Sequence, residues 1–143
     1  MKNDKKRLIL DLRYVNQHVY KDKIKFEDWK IAKQLISQNG YMFKFDIKQG
    51  YHHIDILDEH QEYLGFSWFL RGKKRYFVFT VLPFGLSSAP FIFTKVMREL
   101  LKHWRKNLIK IAIFLDDGLG TDQKHEMTLK DANFVKNSLI GTN

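Results

Sequence analysis

The sequence contains no cysteine and no apolar run long enough to cross a membrane. Without cysteine there is no disulfide framework and no thiolate metal site. A membrane-spanning helix needs about 18 uninterrupted apolar residues, and no such stretch occurs. The charged first residues are not followed by an apolar stretch of signal-peptide type. We therefore expect an intracellular protein, cytoplasmic or nuclear, with no membrane partner.

What the sequence has is apolar content, aromatic rings and positive charge. Its 143 residues are enough for one domain core. With 44% hydrophobic and 15% aromatic residues it is too apolar for a disordered segment. The formal net charge of +9 predicts a polyanionic partner, of which nucleic acid is the commonest. Charge alone supports that partner only weakly.

Strand-like and helix-like patterns alternate along the chain, without repeats or low-complexity linkers. Their order is strand, helix, strand, hairpin, helix, strand-turn-strand, and then a last helix. This order predicts an α+β fold in which helices back an antiparallel sheet. The predicted strands are 8–12, 41–47, 63–70, 75–82 and 109–114, and the predicted helices are 26–39, 89–105 and 131–139.

Two adjacent carboxylates, Asp116 and Asp117, follow the apolar run 109–114 and precede Gly118. By itself Asp-Asp-Gly is more often an ordinary hairpin turn. However, two neighbouring carboxylates repel each other unless a cation lies between them. The tripeptide therefore leaves a turn and a cation site open.

A third carboxylate, Asp46, ends the strand-like run 41–45. Because side chains alternate along a strand, the aromatic residues of this run share one face and Asp46 lies on the other. Two strands that bring three Asp side chains together would form a cage of hard oxygen ligands. Such a cage suits two Mg²⁺ ions, with Mn²⁺ as a substitute, and this arrangement serves in-line phosphoryl transfer.

Four segments in this order resemble the fingers and palm of reverse transcriptases from long-terminal-repeat-type retroelements. The sequence motif Leu-Pro-Phe-Gly-Leu-Ser-Ser-Ala-Pro at residues 82–90, followed by Phe93-Thr94-Lys95, is most similar to the corresponding motif of the DIRS-like branch. The resemblance covers residues 7–122. The four segments are residues 7–16, 45–54, 82–93 and 114–118.

The resemblance implies a polymerase palm with partial fingers. Residues 1–40 and 55–82 would be fingers-like, and residues 41–54 and 83–143 palm-like. The implied activity is RNA-directed DNA polymerisation, with an RNA or DNA template, a primer and a deoxynucleoside triphosphate as partners. It also implies that the chain is a fragment, whose thumb and ribonuclease H regions would lie elsewhere in a parent polyprotein.

The resemblance assigns the metal site to four residues. Asp46 and Asp116 would bridge the two ions, and the backbone carbonyl of Ile47 would ligate the second ion. Asp117 would be catalytic with a less direct metal contact. The commonest form of this motif in the family has Tyr at the position of Phe114. Phe114 would keep the ring near the primer but lacks the hydroxyl group of Tyr.

It assigns the nucleotide pocket to four more residues. Arg7 would bind the triphosphate, and Tyr51 would be the steric gate that excludes a ribose 2′-hydroxyl. Phe84 and Gly85 would pass close to the incoming base and template. Each has a structural alternative: a solvated charge for Arg7, a core ring for Tyr51, and a purely structural turn for Phe84 and Gly85.

Two other functions stay open from the sequence. One is a non-enzymatic remnant of a retroelement that binds nucleic acid weakly through its basic charge. The other is a different two-metal enzyme on a palm-like fold, against which Tyr51 and the Leu-Pro-Phe-Gly wording argue.

Overall fold

A computed structural model describes residues 8–20 and 23–141, which fall into two compact units. The first unit lies within Met1–Lys23 and Gln49–Ile92, and the second within Ile24–Lys48 and Phe93–Asn143. These boundaries differ from those expected for fingers-like and palm-like segments, and the assignment of the segments stays a prediction. No helix in the described ranges has the length and apolarity needed to cross a bilayer.

The described elements alternate between short helices, strands and two long helices. In chain order they are α1 (Val15–His18), α2 (Trp29–Leu35), β1 (Tyr41–Asp46), a 3₁₀ turn (Gly50–His53), α3 (Asp58–Gln61), a second 3₁₀ turn (Glu62–Leu64), β2 (Gly65–Leu70), β3 (Lys73–Val78), α4 (Ala89–Lys106), β4 (Lys110–Phe114), β5 (Asp117–Asp122) and α5 (His125–Ile140).

The first unit is built on a small core beneath the β2–β3 hairpin. Strands β2 and β3 pair antiparallel through a two-residue turn, Arg71-Gly72, with φ values of 50° and 74°. Positive φ at both positions suits the right-handed twist of a hairpin. The core and the partly buried side chains around it come from distant segments: Leu10, Leu12, Leu64, Val15, Ile56, Phe66, Phe79 and Leu86.

The Pro-Phe-Gly loop of the first unit is held against the N-terminal segment. The Leu10 amide donates to the Phe84 carbonyl at 3.1 Å. The Asn16 side chain bridges the loop, since its Nδ2 donates to the Gly85 carbonyl and its Oδ1 accepts from the Ser87 amide, at 2.8 and 2.7 Å. Gly85 has φ 107°, and a Cβ there would lie 2.3 Å from the Leu10 carbonyl oxygen. Only glycine fits this close approach.

The second unit is a three-stranded antiparallel sheet in the order β1-β5-β4. Helices α4 and α5 pack against the apolar face of this sheet. Trp104 of α4 is fully buried, packs edge-on against Phe45 at 5.8 Å, and donates from Nε1 to Ser138 Oγ of α5 at 2.7 Å. One Trp thereby ties both helices to β1 and leaves no unpaired polar atom on its ring.

Two rings of β1 lie over two glycines of β5. Phe43 stands opposite Gly120 and Phe45 opposite Gly118. A Cβ at Gly118 would lie 2.1 Å from Cζ of Phe45, and one at Gly120 would lie 2.2 Å from Cζ of Phe43. The rings fill the space that side chains on β5 would otherwise occupy. Such packing of an aromatic ring over a glycine offsets the destabilising effect of glycine within a strand. The expected alternation, with Phe43 and Phe45 inward and Asp46 outward, is confirmed.

The mixed α+β architecture predicted from the sequence is confirmed, with corrections to three elements. Residues 8–12 form no strand; Leu10 and Leu12 are buried in the core of the first unit without strand pairing. Helix α2 is shorter than the predicted 26–39. It begins after its N-cap Asp28, which accepts from the amides of Lys30 and Ile31, and it ends at Leu35, because Ile36 is extended. Helix α5 begins six residues earlier than predicted, after Asp122 Oδ1 accepts from the Lys124 amide at 2.9 Å.

We predict that Gly118→Ala lowers the free energy of unfolding by about 2–3 kcal/mol, because the new methyl group overlaps the Phe45 ring. In a Phe45→Leu background the same change should cost less than about 1 kcal/mol, since Leu lacks the overlapping ring atoms. The measurement is urea unfolding of the four proteins of this cycle.

Gly65→Ala is the matched control, because its Cβ would meet nothing closer than 3.4 Å. Additive costs of Gly118→Ala and Phe45→Leu would show that ring and glycine are not coupled.

Candidate active site

Asp46 and Asp117 stand directly opposite each other in the β1–β5 register. Asp46 ends β1 and Asp117 begins β5, so both carboxylates reach the same end of the sheet on its open face. Facing residues of antiparallel strands have Cβ atoms about 4.5–5.5 Å apart, and like charges in that position are destabilising. The pair is therefore a place where a cation relieves repulsion.

Asp116 lies in the two-residue turn between β4 and β5. The turn is Leu115-Asp116, and Leu115 has φ 54°. Glycine is favoured at the first position of such a turn, so Leu115 holds a strained backbone. The Asp116 carbonyl accepts from the Ile47 amide at 2.9 Å. This bond extends the β1–β5 pairing to Ile47 and ties the turn to the end of β1.

The structure thus pairs two of the three predicted carboxylates and places the third in the adjoining turn. Within the described ranges, no group of three or more His, Cys, Asp or Glu side chains could hold a metal ion. The three-carboxylate cage is not assembled here, and its metal ligands stay a prediction. The donors do suit Mg²⁺ or Mn²⁺, since carboxylate and carbonyl oxygens are the ligands that these hard ions take.

Asp46 and Asp117 line an open cleft of about 650 Å³ on this face of the sheet. Two of the aromatic residues that line it are exposed: Trp29 at the start of α2 is 68% exposed and Phe114 at the end of β4 is 53% exposed. Lys44, two residues before Asp46, places a cation on the same face. The cleft therefore combines carboxylates, one ammonium group and exposed rings.

An ion pair covers the free edge of β4 beside this cleft. Glu27 accepts from Arg105 at 2.8 Å, and it also accepts from the Ile113 amide at 3.2 Å. Arg105 Nη2 donates to the Ile111 carbonyl at 2.8 Å. The pair satisfies the outward backbone groups of an edge strand, which would otherwise invite another strand. No sequence pattern identified Glu27, Arg105, Trp29 or Lys44 as residues in or beside this cleft.

Tyr51 and Phe84 lie together in the first unit. Their ring centroids are 5.1 Å apart, and the His52 ring contacts Phe84 edge-on at 5.3 Å. Gly85 follows in the loop already described. The close approach that requires glycine there is to Leu10, so packing alone accounts for it. Arg7 lies outside the described residues.

Asp11 and Arg13 of the first unit form an ion pair. Arg13 donates through Nη2 and Nε to the Asp11 carboxylate at 2.7 and 2.9 Å. These bonds hold the pKa of Asp11 below its usual value. Both side chains are exposed, so the pair contributes little to stability.

An antiparallel sheet backed by helices, with acidic residues at its strand ends, is the α+β layout of a polymerase palm. Residues 2–141 match the family described as reverse transcriptase (RNA-dependent DNA polymerase). The match spans almost the whole sequence, and the chain belongs to the reverse transcriptase family.

Relatives and solved structures agree with this family. The chain is 27% identical over 142 residues to the retrovirus-related Pol polyprotein from transposon gypsy of Drosophila melanogaster, covering 99% of this chain and 13% of that protein. It is 29% identical over 118 residues to a putative enzymatic polyprotein of Cassava vein mosaic virus, covering 81% and 17%. The chain therefore spans less than a fifth of these relatives.

Among solved structures, the chain resembles the foamy viral protease-reverse transcriptase in complex with double-stranded DNA. The TM-score is 0.76 at 26% identity, over 97% of this chain and 24% of that one. A complex of the foamy viral protein with an RNA/DNA hybrid gives 0.72, also at 26% identity, over 92% and 17%. The expected palm-like fold is confirmed.

We predict that Leu115→Gly raises the free energy of unfolding by up to about 1 kcal/mol, because glycine adopts positive φ without strain. Leu115→Val should lower it, since a β-branched residue fits that conformation worst. Urea unfolding of the two variants measures both effects.

Leu119, on the extended strand β5 of the same hairpin, is the control and should show the reverse order. There Gly should destabilise more than Val. The same order at both positions would mean that the turn is not strained.

Proposed function

We propose that this chain is the catalytic core of an RNA-directed DNA polymerase, which transfers a nucleotidyl group from a deoxynucleoside triphosphate to a primer 3′-hydroxyl. The observation that carries the proposal is the register that sets Asp46 opposite Asp117, with Asp116 in the adjoining turn. Membership of the reverse transcriptase family gives that geometry its chemical meaning.

The chain's own residues have separable roles in this proposal. Asp46 and Asp116 would hold the Mg²⁺ or Mn²⁺ ions through their carboxylates, with the Ile47 carbonyl as a further ligand and Asp117 in a supporting position. When bound, the ions would activate the primer hydroxyl and neutralise charge on the phosphoryl oxygens. The backbone bond between Ile47 and Asp116 holds the two ligand-bearing segments together.

The nucleotide pocket is proposed at Tyr51, Phe84, Gly85 and Arg7. Packing against Phe84 restrains the Tyr51 ring, and a restrained ring can exclude a hydroxyl by shape. A guanidinium at Arg7 suits the triphosphate, because its fork of donors matches phosphate oxygens.

Three wider assignments belong to the same proposal. The template-primer and the nucleotide would be partners of a longer polyprotein that supplies thumb and ribonuclease H regions. Residues 41–54 and 83–143 would be palm-like, and residues 1–40 and 55–82 fingers-like. Membership of the DIRS-like branch rests on the wording of residues 82–95, and a tyrosine recombinase reading frame beside the gene would support it.

The direct test grafts this chain into a full-length relative, in place of the matching segment, and measures primer extension on poly(rA)/oligo(dT). Extension that disappears in the Asp116→Asn graft would support the proposal. A graft that folds, binds template-primer and extends nothing would favour the non-enzymatic remnant.

We predict that the chain binds Mn²⁺ weakly without nucleotide, because such ions rely on substrate phosphates to complete their shell. Asp46→Asn or Asp116→Asn should weaken that binding at least about tenfold, the scale on which lost ligand support weakens metal sites. Electron paramagnetic resonance of free Mn²⁺ measures the affinity.

Glu59→Gln removes an exposed carboxylate of the first unit and is the control for net charge. Equal Mn²⁺ affinity in all of these proteins would contradict the convergence of the carboxylates.

We also predict that Tyr51→Ala in the graft raises ribonucleotide incorporation relative to deoxyribonucleotide by roughly tenfold or more, the scale of discrimination by pocket shape. Tyr51→Phe keeps the ring and should leave the ratio unchanged. Single-nucleotide incorporation kinetics with both sugars measure the ratio.

Asp46→Asn should lower both incorporations together, because the metals serve either sugar. An unaltered ratio in Tyr51→Ala would make Tyr51 a packing residue.

A further inference from the structure

The β2–β3 hairpin of the first unit carries charge and aromatic rings that the proposed polymerase chemistry does not use. Its fourteen residues, 65–78, hold four cations and no acid. The cations are Arg71, Lys73, Lys74 and Arg75. Both strands are almost entirely exposed.

The register divides the exposed side chains between two faces. Phe69 pairs with Lys74, and Ser67 pairs with Tyr76, so Phe69, Lys74 and Tyr76 share one face. Trp68 pairs with Arg75 and lies on the opposite face with Phe66, whose ring stacks on Phe77. Phe66 also packs against the core of the unit, so that face is partly engaged.

The face that carries Phe69 and Tyr76 is built like a stacking platform. Phe69 is 71% exposed and Tyr76 is 78% exposed, more than most surface rings. They are diagonal neighbours across the two strands, about 7–8 Å apart. Lys74 Nζ lies 5.4 Å from the Tyr76 ring centroid, which leaves a cation beside the rings. Alternating rings and cations recognise nucleobases and phosphates together.

We propose that this face of the hairpin is a non-catalytic binding site for single-stranded nucleic acid. Bases stack on Phe69 and Tyr76, and Lys74 of the same face and Arg71 of the turn contact the phosphates. A second copy of the chain is a poor occupant, because pairing two ribbons would bring eight cations together without one acid. The bases of a duplex are stacked inside the helix, so they cannot stack on Phe69 and Tyr76.

The test is binding of the 143-residue chain to a fluorescein-labelled twelve-nucleotide oligo(U), followed by anisotropy in EDTA. Without divalent ions, the result is independent of the metal site and of the proposed polymerase activity. Tyr76→Ala should weaken binding roughly fivefold or more, the scale of one lost base–ring stack. Tyr76→Phe should bind like the parent protein.

Trp68→Ala is the matched control, since it removes an exposed ring (60% exposed) from the opposite face and keeps the charge. It should leave the affinity unchanged. A loss equal to that of Tyr76→Ala would overturn the assignment of the face, and no loss in Tyr76→Ala would overturn the proposal.

A separate variant tests the electrostatic contribution of the hairpin cations to binding. Replacing Arg71 and Lys74 by Gln should reduce the slope of log K against log salt by about 1.4, from roughly 0.7 per phosphate contact on a single strand. Replacing the exposed Lys106 and Lys110 of the second unit removes the same charge and should change the slope less. Equal slopes in the two variants would mean non-specific charge.

Competition by three unlabelled ligands distinguishes the possible occupants of this face. Unlabelled oligo(dT) should compete with oligo(U), because stacking does not require a 2′-hydroxyl. A twelve-base-pair duplex and vesicles containing anionic lipid should compete poorly. Stronger competition by either duplex or vesicles would overturn the proposal.

Discussion

The geometry of the candidate site depends on two phenylalanine rings that lie over two glycines. Because side chains alternate along a strand, a slip of one residue between β1 and β5 would turn every side chain to the other face. Phe45 fits over Gly118 and Phe43 over Gly120, and a Cβ at either glycine would overlap the ring. This interlock therefore selects one register, and that register sets Asp46 opposite Asp117.

The β4–β5 hairpin is fixed from its other edge by a different kind of contact. Glu27 and Arg105 bind the outward amide of Ile113 and the outward carbonyl of Ile111. They occupy the backbone positions that a further strand would use. Strain then concentrates at Leu115, whose positive φ persists because both flanking strands are held. The turn that bears Asp116 is thus set by packing on one side and by an ion pair on the other.

Sequence patterns predicted the elements whose signals are local. The alternation around Asp46, the apolar run before Asp116 and the helical pattern of residues 89–105 each identify an element within a few residues. Residues that act across long separations were missed. Glu27 meets Arg105 across 78 positions and the Ile113 amide across 86, and no local pattern encodes such partners. The early start of α5 was missed for a smaller reason, since Asp122 was not recognised as the residue that turns the chain into the helix.

The residues whose packing fixes the geometry of this site are not the residues to which the proposed chemistry is assigned. Like charges facing each other across strands cost roughly 0.2–1 kcal/mol, whereas removal of a packed ring such as Phe45 costs up to about 3–5 kcal/mol. The packing term is the larger, so the sheet can hold Asp46 and Asp117 against their repulsion without a bound cation. A substitution of Asp46 that keeps its size, such as Asn, removes charge and leaves the interlock untouched. Loss of function in such a variant would therefore report on chemistry, whereas loss in a variant of Phe45 or Gly118 would report on the register.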